Sequence, residues 1–102
     1  MYFITSMNSI LTEKTDFRSE EATNHVERCF GYYPEKEDAF EAVRRNSCDM
    51  HETMYDYIVV EEIEPGIHGM AEVVGWFKYN RETDGYDPIE VGRTGFCNYA
   101  IG

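Results

Sequence analysis

Apolar and polar positions along this chain change their period several times, and each change marks an element. Tyr2, Phe3 and Ile4 form a short apolar group within Met1–Met7, suited to a first strand. Residues 8–24 then turn polar; Ser19 followed by Glu20 and Glu21 can start a helical turn, and the stretch reads equally well as a long loop or hairpin tip. Strand chemistry resumes over Arg28–Tyr33, where Cys29, Phe30, Tyr32 and Tyr33 surround Gly31.

The period becomes helical over residues 34–46. Ala39, Phe40, Ala42 and Val43 supply the spacing of one buried stripe. Pro34 fits a first turn, Glu35, Glu37 and Asp38 sit at the positive end of the macrodipole, and Arg44 and Arg45 sit at the negative end. The spacing turns Phe40 and Val43 toward a sheet and Glu41 away from it. Asp49 and Glu52 have the spacing of a capping box, which predicts a second short helical turn over 49–54.

Tyr57, Ile58, Val59, Val60 and Ile63 then predict a central strand, ended by Pro65-Gly66. A further strand runs from Glu72 to Tyr79, and Asp84-Gly85 turns it back into Tyr86–Val91 as a hairpin. Pro88 places the return strand near an edge, which leaves room for a homodimer, and Phe96–Ile101 predicts a last short strand. One main helix among five or six strands joined by hairpins predicts an α+β fold: a single domain over 1–102 with an antiparallel sheet and the helix on one face.

Composition narrows the setting. No run approaches the length of a membrane span, and Met1–Ile10 lacks the basic and apolar regions of a secretory leader, so the expected compartment is the cytoplasm. Cys29, Cys48 and Cys97 are an odd set with no CxxC pair, which predicts reduced thiols. Charge changes the picture more: 20 acidic against 9 basic residues leave −11. Between Asn46 and Phe77 stand seven carboxylates, Asp49, Glu52, Asp56, Glu61, Glu62, Glu64 and Glu72, and no lysine or arginine. Such a field repels nucleic acid and anionic membranes and attracts basic protein grooves.

Complete catalytic sets are missing from the pattern. Cys48 and His51 are three apart beside Asp49 and Glu52, but a single Cys-x-x-His lacks the second pair of a zinc signature. The same residues make a Cys-His-Asp set on paper, with no oxyanion hole or nucleophile elbow to serve it. His25 and His68 fall in loops, no phosphate-binding glycine loop occurs, and Glu61 and Glu62, adjacent on a strand, point to opposite faces and cannot act as a carboxylate pair. The expectation is a protein without enzymatic activity, metal or cofactor.

Asn46-Ser47-Cys48-Asp49-Met50 with Glu52, the run Tyr55, Tyr57, Val59, Val60 and Glu61, then Trp76-Phe77-Lys78-Tyr79 and the closing Cys97-Asn98-Tyr99-Ala100-Ile101-Gly102 resemble a group of small proteins from phages and mobile elements of gut bacteria. The resemblance spans most of residues 28–102 and carries no activity with it. It implies a setting in which small acidic proteins inhibit host defence, anti-CRISPR proteins among them.

The expected function is therefore an inhibitor that presents an acidic face to a basic, nucleic-acid-handling surface of a host protein, as a nucleic-acid mimic. The candidate contacts are Asp49, Glu52, Asp56, Glu61, Glu62 and Glu64, with Trp76 and Tyr79 as aromatic anchors. Glu62 and Glu64 with Asp49 and Asp56 are expected to act together, while strand alternation makes Glu61 the outlier. Two alternatives stand beside this: a sponge for a nucleotide immune signal held by Arg44, Arg45, Trp76 and Tyr79, or an acidic protein-interaction module of another kind.

Overall fold

The computed structural model describes residues 1–11, 15–16, 18–67, 69–92 and 98–101. Five strands, β1 (Tyr2–Met7), β2 (Glu27–Tyr33), β3 (Tyr57–Ile63), β4 (Ala71–Asn80) and β5 (Gly85–Ile89), form one antiparallel sheet in the order β2-β1-β3-β4-β5. A short helix, α1 (Glu20–Thr23), precedes β2, and the main helix, α2 (Lys36–Arg44), follows it. The class is α+β, as the pattern predicts. No helix among the described residues is long and apolar enough to cross a membrane.

Each element has a local cause. Ser19 caps α1 by accepting a hydrogen bond from the Ala22 N–H. In α2, Ala39, Ala42 and Val43 are buried, Phe40 packs beside them, and Glu41 stays in water paired with Arg45 at 2.6 Å. The 3-10 segment Ser47–Thr53 departs from the capping-box expectation. Asn46, Cys48 and Asp49 all have left-handed φ, so Asp49 cannot take the extended backbone of a cap, and the Asn46 side chain accepts from the His51 N–H instead. Pro65-Gly66 turns β3 into β4, with Gly66 at φ +119°, a conformation L side chains rarely adopt.

The sheet is covered on both faces. On one, α2 and Met50 close over Ile4, Ile58, Val60, Phe77 and Tyr86. On the other, Met7, Val59 and Trp76 pack with Tyr99, flanked by Ile10, Ile89 and Val91. Two-sided burial is the reason Ile58, Val59 and Val60 are consecutive and all fully buried. The predicted strand over Phe96–Ile101 is not seen where the chain is described, because residues 99–101 form a turn; Phe96 and Cys97 lie outside the described residues.

Candidate functional site

The seven carboxylates of the window without lysine or arginine do not make one face. Glu61 is fully buried, on the sheet face away from α2. Its carboxylate accepts the backbone N–H groups of Tyr99 at 3.0 Å and Ala100 at 3.2 Å. Burial raises its pKa, and these N–H groups only partly offset that. The expectation that Glu61 contacts a partner is thus corrected: it is the anchor of the C-terminal turn. Trp76 is corrected likewise, because it is buried against Tyr99 with ring centroids 5.7 Å apart.

The remaining acids separate to the two ends of β3. Asp56 lies just before its first residue and Glu62 near its last, ~20 Å apart at the rise of an extended strand. Asp49 and Asp56 therefore do not cluster with Glu62 and Glu64, and the four lie in two groups at opposite ends of the strand.

At the Asp56 end, Asp49 and Asp56 are engaged within the molecule. Asp56 bonds His51 Nε2 at 2.8 Å, and the His51 ring stacks on Tyr79 at 3.5 Å with an interplanar angle of 5°. The Tyr79 hydroxyl donates to Asp84 at 2.6 Å, which raises the Tyr79 pKa, with burial adding to it. Asn46 Nδ2 bridges Asp49 and Asp84, and the Tyr86 hydroxyl donates to the Tyr55 carbonyl. This network fastens the 3-10 segment to the β4–β5 hairpin. Glu52, exposed on that segment, is outside it. Tyr79 is half-buried by His51 and serves the network. Removing its hydroxyl with Tyr79→Phe should cost about 1 kcal/mol in urea unfolding, as for one lost hydrogen bond; an unchanged midpoint would show that Asp84 holds the corner without it.

The network also changes the Cys-His-Asp set read from the sequence. His51 pairs with Asp56 and not Asp49, while Cys48 lines a cleft beside β2. Among the described residues no three His, Cys, Asp or Glu side chains converge as a metal site. Cys29 and Cys48 are free and exposed; Cys97 and His68 lie outside the described residues. The nucleotide site of Arg44, Arg45, Trp76 and Tyr79 does not assemble within one chain: Trp76 lies on the face opposite α2, and Arg45 is paired with Glu41.

The other end of β3 is different. Glu62 and Glu72 stand directly opposite each other in the β3–β4 register, a like-charge cross-strand pair that destabilises a sheet. Glu64 lines a cleft with both, beside Met70 and Ala71. Glu64 and Glu72 have no ion pair or side-chain hydrogen bond among the described residues. The hairpin tip they flank carries Ile67, 93% exposed, and Met70, 76% exposed. At its base the Glu64 N–H donates to the Met70 carbonyl at 3.0 Å, and a Cβ at Gly69 would stand 2.0 Å from the Glu64 carbonyl oxygen. Ile67, Met70 and Glu72 were not among the expected contacts. The signal was present in apolar residues placed next to a Pro-Gly turn, where no core period claims them.

Neither protein-family models nor curated proteins nor solved structures give a match to this chain.

Proposed function

We propose that this chain is a non-enzymatic interaction module whose β3–β4 hairpin tip enters a basic groove on a partner protein. The observation that carries the reading is the tip itself, two solvent-exposed apolar side chains, Ile67 and Met70, with Glu62, Glu64 and Glu72 lining a cleft beside Met70. An apolar centre with a charged rim is the anatomy of a protein interface, and the facing glutamates are a stability cost that a basic partner would relieve. Charge elsewhere supports it: among the described residues a single carboxylate, Glu41, pairs with a lysine or arginine.

The test is capture of partner on immobilised protein, wild type against Glu64→Gln with Glu72→Gln. The variant should lose most capture, and wild-type capture should fall as salt rises from about 0.1 M, where the Debye length is ~10 Å. Capture equal between wild type and variant would overturn the reading. Counter-defence is its most specific form and rests on the resemblance alone; a plasmid challenge in cells carrying a nucleic-acid-targeting defence system tests it, with unimpaired defence counting against it. A sharper discriminator is Glu72→Lys, which converts the like-charge pair with Glu62 into an opposite one. It should stabilise the fold by about 0.5 kcal/mol while weakening partner capture, a combination that loss of structure cannot produce.

A further inference from the structure

The sheet has two edges among the described residues, and they are built differently. β5 has five residues and carries Pro88, whereas β2 has seven and no proline, and it pairs only with β1. An unpaired strand edge presents a row of backbone donors and acceptors to any chain that can lie along it. Along β2, Cys29 and Tyr33 are exposed and Tyr32 is 57% exposed.

The edge also carries a side-chain socket. Ile4 pairs with Gly31 and Thr5 with Cys29, so Phe30 is the extra residue of a bulge. Its ring forms one wall of a cleft completed by Ile4, Tyr33, Ala42, Ser47 and Met50, between β2 and the segment that follows α2. Arg28 is drawn over the Phe30 ring, 4.8 Å from its centroid. Both ends of the strand are acidic. Glu27 is its first residue and is bonded to the His25 ring at 3.1 Å, and Glu35 and Glu37 stand exposed on either side of Lys36 at the start of α2, just past Tyr33. Two copies of a chain at −11 repel each other, so the charge selects against self-pairing and for a basic strand.

We infer that the β2 edge accepts an extended, lysine- or arginine-bearing peptide segment of a partner protein as a sixth strand, with one apolar side chain in the Phe30–Met50 cleft and a basic residue near Glu35 and Glu37. Main-chain bonds would supply affinity and the cleft would supply selectivity, the usual division in strand addition. The β2 edge and β3 lie two strands apart in the sheet, with Tyr2 between Tyr33 of the edge and Glu62 of the tip, and strand pairing at the edge does not require the tip to bind.

The test pans the biotinylated protein against phage displaying random linear nonapeptides, and the enriched sequences are then made as synthetic peptides. Enriched peptides should combine basic residues with an apolar one and slow amide exchange over Glu27–Tyr33. Glu35→Lys with Glu37→Lys should weaken them by roughly tenfold, and Ser47→Phe should block the cleft. Glu82→Lys with Glu90→Lys, the same charge change at exposed positions elsewhere, should leave their binding as it is. The inference is overturned if no peptide is enriched above background, if enriched peptides leave β2 exchange unchanged, or if both charge variants bind alike.

Discussion

Glu61→Ala is expected to cost about 3 kcal/mol of folding stability, the scale for stripping a buried group of its partner. The side chain is 0% exposed, and its carboxylate collects backbone N–H groups from the C-terminal turn. Asn98 there has φ 62°, and left-handed residues of this kind aim successive N–H groups into a concave anion site. Truncation leaves those donors buried without an acceptor. Tyr99 would also lose its place against Trp76, the chain's only tryptophan, so a red-shifted tryptophan emission should accompany the lower urea midpoint. A variant with the wild-type midpoint and emission would show that the turn is held by other contacts.

The same carboxyl makes a pH prediction whose sign is fixed. Burial raises its pKa above the ordinary 4.5, so the folded chain holds this proton more tightly than the unfolded one. By linkage, its contribution to stability is fully present below the ordinary value and is lost as pH rises through the raised one. Compared with Glu61→Gln, which does not titrate, wild type should gain relative stability as pH falls from about 7 toward about 4.5. A shift in the opposite direction would mean that the backbone donors outweigh burial.

Much of the fold was legible because its signals are local. The helical stripe of α2, the β-branched run of β3 and the Pro65-Gly66 turn each rest on residues within one element. Glu61 shows where that legibility stops. Alternation set it apart from Glu62 and Glu64, but its carboxylate is buried and answered by a turn 38 residues further on. Trp76 followed the same course, although adjacent apolar residues on both parities of β3 and β4 are the mark of a sheet covered on two faces. The capping-box spacing at Asp49 failed because left-handed backbone leaves no trace in a hydrophobic pattern. A run of carboxylates in sequence likewise says nothing of where an extended strand carries its two ends.

Phe40→Ala should cost about 3 kcal/mol, and its partner across the interface makes the prediction sharper. Phe40 meets Phe77 edge to face at 5.1 Å between ring centroids, on the side of the sheet that α2 covers. Under the ring lies Gly75, where a Cβ would stand 2.9 Å from Phe40 Cζ and 3.3 Å from a Phe77 ring carbon. Gly75 is therefore the hollow that lets the ring lie down on β4. In the wild type Gly75→Ala must push the ring outward and destabilise by about 1 kcal/mol, the lower range for overpacking. In the Phe40→Ala background the same methyl enters vacated space, so the double variant should be more stable than the sum of the single losses by roughly 1 kcal/mol. The readout is the set of urea midpoints for the four proteins of the cycle. Additive losses would mean that Gly75 and Phe40 do not touch, and that α2 crosses the sheet at a different angle.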